Sequence, residues 1–190
     1  YMQLVYDANK QTYNIENGGK LIVKGIQANK GAGNKARSSH EVNVKNGGLL
    51  QVKTALSLGT INANIEEGGT LELTNTFDHM LNNSNLGGVT CAGKLKLTGT
   101  NWVMLPNDET KAANLAAIAE IENNISGTNG QLLMPNARTY TIGSLSGTGG
   151  VRADYSDSAA RTLKIVQSKD TTWSGAVKDD SNAARIINFE

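Results

Sequence analysis

The chain has 190 residues, with 18 Lys and Arg against 17 Asp and Glu, a formal net charge of +1, and 21 Gly and 22 Asn beside only 2 Pro. So weak and balanced a charge argues against nucleic-acid or membrane-surface binding, and a hydrophobic content of 38% argues against disorder. No apolar run approaches the ~18 residues of a membrane span, and the single cysteine excludes an internal disulfide framework and a multi-cysteine metal cluster.

What remains is a turn-rich, mainly β domain. Aromatic residues are 5% of the chain, so Leu, Ile, Val and Ala must build its core. We read residues 1–190 as one solenoid domain. The opening YMQLVYD carries no basic and apolar leader, and the closing RIINFE reads as a strand that stops without a turn. The expectation is a fragment, with the remainder of its own longer chain among its partners.

In chain order, a short pattern recurs: Ile15-Glu-Asn-Gly-Gly-Lys-Leu-Ile-Val23, Val44-Lys-Asn-Gly-Gly-Leu-Leu-Gln-Val52, Ile65-Glu-Glu-Gly-Gly-Thr-Leu-Glu-Leu73 and Val89-Thr-Cys-Ala-Gly-Lys-Leu-Lys-Leu97. A weaker fifth copy ends Asn129-Gly-Gln-Leu-Leu-Met134. Alternate residues of a strand face one way. One copy therefore has an apolar stripe that it cannot bury alone, and parallel stacking ~4.8 Å apart buries a continuous column. The expected columns are Leu21/Leu50/Leu71/Leu95/Leu132 and Val23/Val52/Leu73/Leu97/Met134, which makes a parallel β-solenoid. The outward positions agree: Glu16, Lys45 and Glu66 alternate in charge down one column, and Glu72 falls beside Lys96. Antiparallel hairpins closed by the Gly-Gly turns are the structural rival.

Two segments break the pattern. Residues 25–40, with Lys30, Lys35 and Arg37, read as a loop projecting from one rung. Residues 107–123 show apolar positions Leu115, Ile118 and Ile121 at helical spacing behind an Asn107 or Asp108 cap, which predicts one short inserted α-helix around 108–122. Such a helix would cover a strand edge.

The C-terminal third carries Thr141-Ile-Gly-Ser-Leu-Ser-Gly-Thr-Gly-Gly150, Arg161-Thr-Leu-Lys-Ile-Val166 and Thr172-Trp-Ser-Gly-Ala-Val177. With the Gly-Gly-x-Leu-x-Val copies, these resemble the autotransporter-associated β-strand repeats of passenger-like regions in bacterial surface and secreted proteins. The resemblance implies a right-handed parallel β-helix outside a bacterium, serving as a stalk or binding surface. It carries over no catalytic residues. The irregular spacing and the helical insert depart from that pattern, and the family's membrane-anchoring barrel is not in this sequence.

Each chemical candidate has a plainer counterpart. Asp78-His79 pairs a base with an acid, but its flanks read as a polar surface loop. His40, His79 and Cys91 lack zinc-ligand spacing. Asp154 with Asp157, and Asp179-Asp180, are the acid pairs a polysaccharide hydrolase or lyase would need; both lie in turn-like stretches where Asp closes turns. The Gly-Gly copies lack the aspartate of calcium-binding rolls. Ser38, Ser39 and Ser144 lack a partner base, and Ser144 is not in a nucleophile elbow. The basic loop lacks the interleaved aromatics of a nucleic-acid site. Among Trp102, Trp173, Tyr140 and Tyr155, Trp102 is expected to be buried, while Trp173, between polar neighbours, is the glycan-stacking candidate. Cys91 is read as a turn residue.

The reading taken is a non-enzymatic structural or adhesive module, extracellular or on a bacterial cell surface, with glycans or other surface proteins as partners and no cofactor or metal. The competing reading is an accessory or catalytic part of a carbohydrate-active β-helix enzyme.

Overall fold

The structure, a computed structural model, describes residues 2–5, 11–27, 40–53, 61–75, 86–105, 118–127, 131–153, 159–167, 169–178 and 187–190. Within them every strand pairing is parallel. The chain is an all-β parallel solenoid, and the hairpin rival fails because no Gly-Gly turn joins antiparallel neighbours.

Strands are numbered in chain order. The long sheet runs β1 (Met2–Val5), β3 (Lys20–Gln27), β5 (Leu49–Val52), β7 (Thr70–Asn75), β9 (Lys94–Gly99), β11 (Glu120–Ile125) and β14 (Leu145–Gly147). A second sheet stacks β2 (Thr12–Ile15), β4 (His40–Val44), β6 (Ile61–Ile65) and β8 (Leu86–Cys91), each immediately before a long-sheet strand in the chain. The third sheet comprises β10 (Val103–Met104), β12 (Gln131–Met134), β15 (Gly150–Ala153) and β17 (Val177–Lys178). The fourth comprises β13 (Thr139–Ile142), β16 (Arg161–Ile165) and β18 (Ile187–Phe189).

The expected columns hold through four copies. Leu21, Leu50, Leu71 and Leu95 are register partners in succession, as are Val23, Val52, Leu73 and Leu97. All but Leu21 are buried. Full burial of such a side chain stabilises by about 1.5–3 kcal/mol, so each column is a main source of cohesion between rungs. The Gly-Gly turns between the second and long sheets repeat one geometry. Gly18, Gly47 and Gly68 have φ of 75°, 74° and 79°, in the left-handed region that side chains resist. Gly18 N–H donates to Gly47 O at 3.1 Å, and Gly47 N–H to Gly68 O at 3.0 Å, so the turns stack as the strands do.

Three expectations are corrected. The helix over 108–122 is not formed where the chain is described. Residues 108–117 lie outside the described residues, and Glu120–Ile125 is strand β11. There Ile121, Asn123 and Ile125 alternate inward and are buried, and Ile121 lies between Leu95 and Leu145 in register. A ladder on both sides outweighs the helical spacing of Ile118 and Ile121. Second, the fifth member of the long-sheet columns is β11, not the Asn129–Met134 copy. Leu132 joins the third sheet instead, between Val103 and Val151. Third, Cys91 is not in the turn. It pairs with Ile65 and continues the buried column Ile15, Val44, Ile65. Its turn is shorter than the Gly-Gly turns, so aligning the copies on glycine displaced the strand before it.

Candidate functional site

The inward faces are fully engaged in packing, so chemistry available to a partner lies on the outward columns. At the turn entering the long sheet, the column runs Glu16, Lys45, Glu66. The Lys45 ammonium pairs with the Glu66 carboxylate. That hydrogen bond, against a small loss of hydration and aided by the charges of Glu66 and Glu16, holds Lys45 above its ordinary pKa. On the long sheet itself, Lys94 Nζ is 3.2 Å from Glu120 and 3.0 Å from Glu122, and Lys96 Nζ is 3.9 Å from Glu122. Partial burial pulls the Lys94 pKa down, but its bonds to Glu122 and Glu120 outweigh that and raise it. Glu72 and Lys96 are register partners, as expected.

The second sheet carries a different column. Asn14, Asn43, Asn64 and Thr90 are successive register partners. Asn43 Nδ2 donates to Asn14 Oδ1 at 2.9 Å, and Thr90 Oγ1 donates to Asn64 Oδ1 at 2.8 Å. Next to the ion pairs of the long sheet, Thr98 Oγ1 donates to Thr74 Oγ1 at 3.3 Å. These side chains are held by neighbours one rung away. The result is a pair of polar faces, one of paired charges and one of amides and hydroxyls, with hydrogen-bonding groups at rung spacing.

The expected site residues fall in several places. Trp173 is half-buried and packs on the end of the core, bridging Gly147 of β14. Its Nε1–H donates to Gly149 O at 2.8 Å, and its ring stacks on Phe189 with centroids 6.0 Å apart at 28°. One ring face and the indole N–H are thus already used within the chain. Tyr140 is buried, and its hydroxyl oxygen accepts from Asn136 N–H at 3.1 Å. Ser144 is buried in the turn before β14, where its carbonyl accepts from Ile121 N–H. Trp102 is half-buried beside the buried Val103, Met104 and Leu105. His40 begins β4. Lys30, Lys35, Arg37, Ser38, Ser39, Asp78, His79, Asp154, Tyr155, Asp157, Asp179 and Asp180 lie outside the described residues. Among the described residues no group of three His, Cys, Asp or Glu is placed to hold a metal, and no helix is long and apolar enough to cross a membrane.

Of the buried polar residues that the sequence reading did not single out, Arg161 and Asn123 are fully buried. Arg161 is fully buried; its Nε donates to Met134 O at 3.1 Å, and its terminal nitrogens donate to Ala159 O at 2.6 Å and Pro135 O at 3.0 Å. It satisfies carbonyls where the chain leaves β12, which is how a buried cation is tolerated. Asn123 is fully buried in the long-sheet column after Leu97; its Nδ2 donates to Gly150 O at 3.1 Å and its Oδ1 accepts from Ile125 N–H at 3.2 Å. No signal marks Arg161 in the sequence. The Asn ladder had one: in Tyr13-Asn-Ile15, Val42-Asn-Val44 and Ala63-Asn-Ile65, an Asn stands between two inward residues just before the turn.

Comparison of the chain with family profiles, curated proteins and solved structures finds no match.

Proposed function

We propose that this chain is a non-enzymatic structural or adhesive module of a bacterial cell-surface or secreted protein. As a right-handed solenoid, the usual hand of parallel crossovers, it presents extended polar faces to glycans, host molecules or other surface proteins. The observation that supports this reading is the outward pairing of Lys94 with Glu120 and Glu122, and of Asn43 with Asn14, across rungs. Groups fixed in advance lose little conformational entropy on binding, which suits contact over a long flat surface. Catalysis asks for the reverse, an acid or nucleophile with a perturbed pKa in a cleft.

The test is a glycan array run beside a polysaccharide-degradation assay on one preparation. Binding without product release is expected, weakened by Asn43→Ala and Asn64→Ala together. Release of sugar products that is abolished by Asp154→Asn or Asp157→Asn would overturn the reading in favour of a carbohydrate-active enzyme.

A further inference from the structure

On the outward side of the long sheet, one column runs Ile22, Gln51, Glu72, Lys96, Glu122 and Ser146 in successive register. Around its later members side chains are engaged across rungs: Glu122 pairs with Lys94, and Ser146 Oγ donates to Glu120 at 2.8 Å. At Gln51 and Glu72 that engagement stops. Among the described residues, no ion pair or hydrogen bond engages the Glu72 carboxylate. Strand alternation turns Gln51 outward between Ile22 and Glu72. It is nonetheless only 9% exposed, and its Oε1 is buried with no hydrogen-bond donor. A buried acceptor without a donor costs stability, and native folds leave few of them. The packing of the sheet makes no use of this amide.

The surroundings of Gln51 narrow what could use it. Leu49 stands two residues before it on the same strand and face, and Ile22 is its register partner on β3. Both are half-buried. Every other register partner in these two outward columns is polar, from Lys20, Thr70 and Lys94 in one to Glu72 and Lys96 in the other. Two apolar side chains thus border one amide, one free carboxylate and, a rung beyond, one ammonium. A cationic ligand would meet Lys96, and an anionic one would meet Glu72. A neutral group that both donates and accepts satisfies the whole set. A hydroxyl is such a group. A sugar ring carries several hydroxyls on adjacent carbons, and its C–H face can cover Ile22 and Leu49 and remove them from water.

We propose that Gln51 and Glu72, with Lys96 beside them and Ile22 and Leu49 as an apolar floor, bind an uncharged sugar residue of a glycan. Ring hydroxyls donate to the Glu72 carboxylate and accept from Lys96. The Gln51 amide, whose terminal torsion is soft, turns its oxygen toward a further hydroxyl and gains the donor it lacks. The proposal rests on the adhesive reading above. It gives that reading a ligand chemistry and places the contact on the long sheet, on a face other than the asparagine ladder.

Titration with three sets of oligosaccharides tests this: neutral hexose, uronate-containing and amino-sugar. Nitrogen–proton correlation spectra report both affinity and place. Neutral oligosaccharides should bind best and shift the Gln51 side-chain amide resonance. Glu72→Gln, which removes the charge at constant shape, and Gln51→Leu should each weaken binding by about tenfold. Gln51→Leu also replaces an amide that has no partner with a hydrocarbon, so it should melt no lower than the unaltered chain. Lost binding without lost stability separates a ligand contact from a structural one. Neutral binding that survives both substitutions, a preference for uronate or amino sugars, or no glycan binding at all would overturn the proposal. So would a Gln51→Leu chain that melts lower, because the amide would then already be satisfied within the fold. Binding abolished by Asn43→Ala with Asn64→Ala but kept by Gln51→Leu would remove this site and leave the adhesive reading standing. Release of sugar products would instead overturn that reading.

Discussion

Replacing Gly93 by alanine isolates the cost of close turn stacking. A Cβ at Gly93 overlaps the Gly69 carbonyl oxygen and lies 2.6 Å from that of Glu66, both backbone atoms of the preceding rung. No rotamer relieves this, so the turn must move outward and stretch the 2.9 Å bond from Lys94 N–H to Gly69 O. Losing that bond costs about 1 kcal/mol, and forcing an extra methyl into a packed site adds about 1–3 kcal/mol. We expect a loss of about 2–4 kcal/mol, a fall in Tm of roughly 10 °C for a chain of this length. Gly18→Ala is the control. Its φ is 75°, but a Cβ there meets nothing within 4 Å. It bears only the left-handed strain of about 1–2 kcal/mol, offset by about 0.4–1 kcal/mol from stiffening the unfolded chain. Thermal and urea unfolding followed by circular dichroism would rank the two. If Gly18→Ala is as damaging as Gly93→Ala, conformational freedom and not close approach explains the glycines, and the stacked-turn argument fails.

Other consequences can be checked in the same assays. Leu97→Ala in the buried column should cost about 3–5 kcal/mol. Because each rung touches only its neighbours, Leu50→Ala and Leu145→Ala together should add within about 0.5 kcal/mol, while Leu73→Ala with Leu97→Ala should not. Burial pushes the Cys91 thiol from 9.0 up to about 11, despite a hydrogen bond from the Gly93 backbone that favours the thiolate. A thiol-specific chromophoric reagent at pH 8 should therefore label it only after denaturation. A folded-state pKa above the unfolded one gives stability that is complete below about pH 9 and is lost as pH rises toward 11, by about 2–3 kcal/mol; Lys45 and Lys94, also raised, act in the same direction. The lysines lose their contribution only above their ordinary 10.5, so a Cys91→Val variant that keeps its sensitivity between about pH 9 and 10.5 would refute the assignment to the thiol. Asn123→Leu should cost about 2–4 kcal/mol, since it leaves Ile125 N–H and Gly150 C=O without their partner.

Much of the fold was legible because the first three copies repeat both of its signals, a left-handed turn and a period of two, and the fourth keeps the period. Leu21 to Leu95 and Val23 to Leu97 stack as their spacing requires, and the charge alternation at Lys45 and Glu66 follows from that register. Legibility ended where one signal dropped out. Before β11 the glycine pair gives way to Ile118 and Ala119, and inside it an Asn replaces the aliphatic residue, so the period of two was hidden beneath an equally good helical spacing. Cys91 was misplaced because turn length varies between rungs while strand register does not. Asn14, Asn43 and Asn64 lie on strands, where an amide can both donate to one neighbour and accept from the other. At Trp173, composition of the flanks spoke for exposure; contact with Gly149 and Phe189, distant in sequence, decides otherwise for half the ring.

Repetition carries its own hazard, and Asn123 bears on it. Aliphatic columns are interchangeable: Leu50 would pack on Leu95 nearly as well as on Leu71, so hydrophobic burial alone does little to fix which rung follows which. A folding chain could skip a turn and still bury its stripe. The Asn123 amide is particular in a way that leucine is not, because it needs Ile125 N–H and Gly150 O and the space above it left by Gly149, where a Cβ would overlap the amide. A stack slipped by one rung strands that amide among hydrocarbons, a penalty of several kcal/mol in a dry interior. The residue that most weakens the column as a hydrophobic seam thus acts as its index mark, giving the order of the rungs a thermodynamic basis that their shared pattern does not supply.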